Sequence, residues 1–500
     1  MFNQRLCATW RLLVGAIFSF VYSNVAAEVP STFASLGDVA KQVFVVPGGD
    51  SLPSLRCPSV NKKRVSTPSS LAAAGGNAPA GSSEEEIPLT LEDEKSFLKN
   101  ALGPPSVEEL RRHAPRQDGL RALHAQLREA SQVGLARVGV WGGSHMAAEY
   151  FTSEVRRSLT ERYGIGGPGH INLLFGRPGI RLPVSALCRY GQWREELPSR
   201  SSGGTASIVG EGLFALSSSE SQAGIEVDLN NTHVANQAQN LTLHYLRQPE
   251  GGRFELWVDG QSLGVIDSMG SPGLGVLEVH GKQGLSRMKL QVVDSAGVTL
   301  LGLFAEKDKG LVLDNFGIAG ASSNYWLTVQ PEMLVQIRHQ RPYDLVILAY
   351  GTNDVTGKDW DPDGYRVKYL RTLQAMRAVH PQSHCVLVTP GDRATRFTVK
   401  KILRIKNGKT RKVVQTHYDL LTYPQRHMQA SRIQRELGNQ FGCSTWDMSL
   451  EMRKVGGAYK LMKQSPPWMT ADLIHLTPLG YQEMAKLFNQ WLGGTLDNIN

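Results

Sequence analysis

The sequence predicts an α/β protein in which a doubly wound parallel sheet is interrupted by an antiparallel β insertion. Three observations carry this. Short apolar runs around Val138–Trp141, Leu311–Leu313 and Leu345–Leu348 each end in glycine or polar residues, and helical patterns follow. Parallel strands buried on both faces read this way, and their carboxyl ends are where sites gather. Between about Leu182 and Lys309 the pattern changes to alternation with period two, broken by turn signals at near-regular spacing. Finally, 500 residues is too long for one ordinary core, so two or more domains are expected.

The composition, 41% hydrophobic and 20% charged, is that of a soluble globular protein. Residues 1–27 stand apart. Arg5 and Arg11 precede an apolar run, Leu12 to Val21, and Val25-Ala26-Ala27 offers small residues for cleavage. This is the pattern of a signal peptide cut near Ala27, so the mature chain is expected to be periplasmic or secreted and to start at Glu28. The run is short for a membrane span, and no later segment is apolar enough to make a transmembrane segment. Removing the leader lowers the formal charge from +9 to +7. That excess suits work near anionic polymers or membrane surfaces, but there is no motif for nucleic acid. Cys7 leaves with the leader. Cys57, Cys188, Cys385 and Cys443 remain, with no close metal-ligand spacing. Cys385 and Cys443 lie in or beside strand-like runs and are expected to be buried thiols. The compartment allows a disulfide, but no pairing is assigned.

Along the chain, 28 to about 57 is a short ordered piece containing Lys41 to Val46. Residues 58–88 are rich in Ser, Ala, Gly and Pro and read as a flexible linker. Leu89 to Ala114 is partly helical. Asp118 to Val133 places Leu120, Leu123 and Leu127 at helical spacing and leads into the strand before Gly142-Gly143-Ser144. Strand, tight turn and helix there would expose the Ser144 hydroxyl at the sheet edge and a helix N-terminus. A plain turn with an N-cap serine explains the same residues when they are taken alone. The literal Gly49-Asp50-Ser51-Leu52 is set aside, because Pro53 and Pro58 stand where its helix would begin.

A helix is expected from Met146 to about Tyr163, then a glycine-rich loop, Gly164 to Gly169, that matches no dinucleotide fingerprint. The inserted segment shows strand-like runs at Ile225–Leu229, Leu241–Arg247, Phe254–Val258, Val276–His280, Arg287–Val293 and Val298–Phe304. They read as a β-sandwich or jelly roll, with structural support and glycan binding as equally fitting roles. Beyond Leu311 come a helix at Val329–Gln340, a strand ending at Gly351-Thr352-Asn353-Asp354, a helix at Tyr365–Val379 and a strand at Cys385–Thr389. Residues 397–414 centre on Asn407-Gly408, a hairpin signal, and carry seven Lys and Arg residues. A solvated ribbon explains that charge slightly better than an arm touching an anionic polymer. A helix at Pro424–Phe441, a strand at Ser444–Met448 and a helix at Tyr481–Leu492 close the chain.

The expected organisation is a signal peptide (1–27), an N-terminal extension and disordered linker (28–117), a first α/β part (118–181), the inserted β-sandwich (182–310) and a second α/β part (311–500). Asp472-Leu473-Ile474-His475 adds the last polar signal. A carboxylate three residues before a histidine can orient the ring through Nδ1 and leave the other nitrogen for a serine hydroxyl. Each piece alone is common; their conjunction in this order is not.

With these residues in hand, the chain resembles the GDSL/SGNH hydrolases. The matching blocks are Gly142-Gly143-Ser144-His145, Gly317-Ile318-Ala319-Gly320-Ala321, Gly351-Thr352-Asn353-Asp354 and Asp472-Leu473-Ile474-His475. Within that superfamily it is most similar to the periplasmic peptidoglycan O-acetylesterases of the neisserial type, which also insert a carbohydrate-module-like β-domain between the first two blocks. The resemblance implies a flavodoxin-like, three-layer parallel sheet. It implies Ser144 as nucleophile, His475 as general base and then acid, and Asp472 as the residue orienting His475. It implies an oxyanion hole of the Ser144 and Gly320 N–H groups and the Asn353 side-chain amide. No cofactor and no metal are implied, and the implied partner is an O-acetylated glycan, peptidoglycan first. An O-acetyltransferase using the same triad and a catalytically inactive glycan-binding protein are the alternatives. One departure stands out: Gly143 occupies the place of the family's aspartate before the serine.

Overall fold

A computed structural model describes residues 36–48, 55–57, 85–99, 101–112, 117–198, 206–229, 238–404 and 410–493. The expected leader, the Gly49-Asp50-Ser51-Leu52 string, nearly all of the expected linker and the Asn407-Gly408 turn lie outside these residues. Met1–Gly37 and Asp38–Asn500 are separate units, and every element below lies in the second.

The site is carried by a five-stranded parallel sheet. Leu135–Gly142 is flanked by Gly310–Gly317 on one side and Leu345–Ala349 on the other, followed by His384–Val388 and Ser444–Trp446. The second strand in the chain therefore lies outside the first, and the rest follow in sequence. That is the flavodoxin-like order, and its switch point falls between the strands that lead to Ser144 and to Asn353. Alternate residues of the central strand serve two layers. Val138 and Val140 join Leu120, Leu127, Phe151, Val155 and Phe488 from three helices, Gln117–Val133, Tyr150–Tyr163 and Pro478–Gly493. Trp141 faces the other way, with its ring against Phe316, Trp326, Tyr343 and His380.

Two largely antiparallel sheets occupy the expected insertion. One orders Gly273–Leu285, Ala238–Arg247, Val298–Glu306, Ala215–Ser218 and Arg194–Glu196, and the other Gln261–Asp267, Arg253–Val258, Arg287–Val292, Gly224–Asp228 and Ala186–Tyr190. Tyr245 of the first meets Phe254 of the second edge to face, with centroids 5.4 Å apart. The N-terminal piece Ala40–Val46 joins the first sheet as a parallel edge strand on Gly273–Leu285. Nothing in its own residues names that partner.

The basic hairpin is present as Thr395–Arg404 paired with Thr410–Asp419, and Glu85–Ile87 adds a third strand. Thr416 donates to Glu86, and Lys401 lies 3.8 Å from Asp93, so acidic residues of the N-terminal segment meet part of its charge.

Two expectations need correction. Cys385 and Cys443 are not thiols but a disulfide, and Cys57 pairs with Cys188. The reason is register. Val386 lies opposite Ser444, so the preceding residues, Cys385 and Cys443, are also neighbours, with Cα atoms 4.5 Å apart. Strand pairing of this kind is invisible in the spacing of cysteines. The second correction concerns the helix expected from Met146 to Tyr163. It is interrupted at Glu149, whose φ is 63°. The Glu149 carboxylate is buried and accepts from Thr152 and Arg156 of the following helix and from Asn315 on a neighbouring strand, so a tertiary hydrogen bond helps to hold a backbone conformation that helical pattern alone would not suggest.

Candidate active site

Ser144 begins the short helix Ser144–Ala147, immediately past the carboxyl end of the central strand. Its Oγ lies 3.0 Å from Nε2 of His475, a residue 331 positions away. Nδ1 of His475 lies 2.7 Å from Oδ2 of Asp472. A carboxylate can only accept, so Nδ1 carries the proton and Nε2 is left to accept from the serine.

The turn that supplies this pair is built around the carboxylate. Asp472 Oδ1 accepts from Thr470 Oγ1 at 2.5 Å and from the amides of Ile474 and His475 at 2.9 and 3.0 Å. Leu473, between them, takes a left-handed φ of 58° and is fully buried. Burial by itself would raise the Asp472 pKa. The bonds from His475, Thr470 and the two amides outweigh it and hold the carboxyl far below the usual range. Asp472 is therefore a fixed anion at the far side of the imidazole.

The other two expected donors converge on the same edge. Gly320 follows the strand Gly310–Gly317 and has φ +80°, a conformation that side-chain-bearing residues rarely adopt. Asn353 follows Leu345–Ala349, and its Nδ2 donates to Ala321 O at 2.8 Å. One amide hydrogen is thereby spent on orientation, and the group has a second. Gly143 fits against this amide: a Cβ there would stand 3.0 Å from Asn353 Nδ2 and 3.3 Å from Ala321 O. The missing side chain before the serine thus coincides with close approach of the asparagine.

Several supporting residues were given no role of their own in the sequence reading. Asp354 accepts from Ser323 N and Oγ and from Gly351 N, tying the asparagine loop to the glycine loop. Burial pushes its carboxyl up, partly offset by those bonds. His145 Nδ1 lies 3.0 Å from Tyr481 OH, and its ring centroid is 5.7 Å from that of His475. Burial first, and then the neighbouring His475, His427 and Arg393, push His145 down to about 3, so it stays neutral. Thr470 and Tyr481 carry no sequence mark beyond nearness to Asp472 and His475. Asp354 adjoins Asn353 and could have been singled out. Among the described residues no three His, Cys, Asp or Glu side chains group to hold a metal ion, and no helix is long and apolar enough to cross a membrane.

Residues 294–483 match the model of the GDSL-like lipase/acylhydrolase family. That span includes Gly320, Asn353, Asp472 and His475 and starts after Ser144. Among solved structures, a peptidoglycan O-acetylesterase is similar at 19% identity and a TM-score of 0.57, over 76% of this chain and 96% of that one. The two share a fold. A family two carbohydrate esterase from Cellvibrio japonicus aligns at 11% identity and a TM-score of 0.24, over 63% of this chain and 99% of that one. An acetyl xylan esterase follows at 21% identity and a TM-score of 0.25, over 36% and 80%. No curated protein sequence matches the chain.

Proposed function

We propose that this carboxylic ester hydrolase, with its GDSL-like lipase/acylhydrolase domain, removes O-acetyl groups from a cell-envelope glycan, peptidoglycan first, through Ser144, His475 and Asp472. The observation that carries the reading is the continuous hydrogen-bonded line from Asp472 through His475 to Ser144, at 2.7 and 3.0 Å. His475 Nε2 takes the hydroxyl proton as Ser144 Oγ attacks the acetyl carbonyl. The tetrahedral oxyanion is met by the N–H groups of Ser144 and Gly320 and the free hydrogen of the Asn353 amide. The C–O bond to the sugar breaks, and the imidazolium returns its proton to the departing sugar oxygen. Water, deprotonated by the same imidazole, then releases acetate and restores Ser144.

The substrate class is supported by the fold shared with a peptidoglycan O-acetylesterase. We read the antiparallel sheets between Ala186 and Glu306 as an inserted module of the carbohydrate-binding kind. A periplasmic or secreted site of action is supported by the leader pattern and by two disulfides, which persist in oxidising compartments.

The test is acetate release from O-acetylated peptidoglycan beside acetylated xylan and acetylated alginate. The expected outcome is a preference for peptidoglycan. Ser144→Ala should lower release by at least about 10³-fold. Equal rates from the Ser144→Ala protein would refute the nucleophile, and a preference for xylan would refute the substrate class.

A further inference from the structure

The loop that leaves the strand His384–Val388 carries an arginine that the mechanism does not use. Arg393 is only 9% exposed. Its guanidinium lies over the ring of Tyr423, 4.2 Å from the centroid. Its Nε is buried with no hydrogen-bond partner, and among the described residues no carboxylate lies within ion-pair distance of it. A buried cation normally finds an anion, because leaving water is costly and a ring face returns only part of that cost.

Its position is beside the reacting groups. The amide of the next residue, Ala394, donates to Leu473 O at 3.0 Å, inside the turn between Asp472 and His475. On the other side Tyr423 also lies against Arg426, which donates to the carbonyls of Val355 and Gly357 in the loop that follows Asn353. Arg393 thus stands between the two loops that supply the histidine and the oxyanion donor. Asp472 is near enough to be felt, but its oxygens are already committed to Thr470, Ile474 and His475. Arg426, by contrast, is a clip: its donors are spent on backbone carbonyls.

We infer that Arg393 is a carboxylate subsite, so that the glycan deacetylated here bears a free carboxylate next to the acetylated sugar ring, either as a lactyl ether that carries no peptide or as a uronic acid. A planar guanidinium with open donors matches a carboxylate's two oxygens, and a site already poor in water strengthens the pair. Neutral acetylated sugars leave that cation unpaired. Arg393 is on this account a specificity residue, and the inference rests on the proposed deacetylation for the place of the ester.

The experiment measures binding to Ser144→Ala protein by calorimetry. The ligands are an O-acetylated muramyl disaccharide with a free lactyl carboxylate, the same compound with that group as a primary amide, and an O-acetylated uronate oligomer. An acid form should bind about tenfold or more tightly than the neutral amide, since a hydrogen bond to a charged group is worth roughly that. The lactyl and uronate arms tell which source of carboxylate is used. Adding Arg393→Gln should erase the discrimination, and Arg393→Lys should keep part of it. Equal binding of acid and amide overturns the subsite, as does discrimination that survives Arg393→Gln. The acid-against-amide comparison needs no Arg393 variant, so it stands even if those variants do not fold. Ester hydrolysis by the unmodified protein is assayed separately. Hydrolysis without discrimination removes the subsite alone, and discrimination without hydrolysis removes the deacetylase reading alone.

Discussion

Asn353 shows how finely single residues set this site. Its amide is held by Ala321 O at 2.8 Å and abuts Gly143, so its orientation is fixed before any ester arrives. Asn353→Ala should lower kcat for acetyl-ester hydrolysis about 10²–10³-fold, roughly 2.7–4 kcal/mol of barrier, with little change in KM. Steady-state kinetics on p-nitrophenyl acetate would read this directly. A second residue makes a pH prediction. Burial pushes Asp392 up to about 6 from an ordinary 3.8, although Ala458 N donates to it at 2.8 Å. The folded value is the higher one, so the contribution is fully present below about pH 4 and is lost as pH rises through about 6. The loss amounts to about 3 kcal/mol. Asp392→Asn should therefore raise the urea midpoint at pH 7 relative to wild type, and the gain should vanish near pH 4. At this scale much was legible. Ser144, Asn353, Asp472 and His475 announce themselves by residue type beside strand ends and glycines. Thr470, Tyr481 and Arg393 do not, because their roles come from partners distant in sequence or from a turn geometry that no pattern encodes.

Elements were legible where their periodicity was strong. The helices and apolar parallel strands lie close to the positions their hydrophobic spacing suggests, because each is buried on a predictable face. The helix after Ser144 differs because Glu149 answers to Asn315 on a neighbouring strand as well as to Thr152 and Arg156 of the helix that follows it. Strand neighbours were not legible either, and the disulfide Cys385–Cys443 follows from them. It joins the strand His384–Val388 to the residue just before Ser444–Trp446, closing 58 residues of chain that include the basic hairpin. Replacing both cysteines with serine should cost about 2–4 kcal/mol of stability, read from chemical denaturation under non-reducing conditions. The hairpin itself is less independent than its charge suggested, since Glu85–Ile87 completes its sheet.

Across the whole molecule, the parallel sheet and the antiparallel sheets are joined by buried charge. Arg341, at the end of the helix Pro331–Gln340, reaches Glu306 at 2.6 Å and Asp314 at 2.7 Å, one on each kind of sheet. Arg137 adds a second contact to Glu306 at 3.1 Å, and Tyr343 donates to Asp314. Burial would raise the Glu306 pKa, but the two arginines more than offset it, and the carboxyl is held low. Arg341→Met should destabilise the fold by about 3–5 kcal/mol, because it takes a buried cation from two buried carboxylates, leaving Glu306 with Arg137 and Asp314 with the Tyr343 hydroxyl and the His170 amide. Thermal unfolding followed through both fluorescence and circular dichroism would measure that loss. None of this junction was legible in the sequence, where these residues are scattered among ordinary surface-type charges. The distance between Ser144 and His475 along the chain, 331 residues, has a consequence for the protein's birth. A ribosome delivers the would-be nucleophile early and its base almost last. On the proposed mechanism, any polypeptide cut short by a premature stop codon ahead of residue 470 carries an inert hydroxyl, and reactivity arrives only with the closing segment.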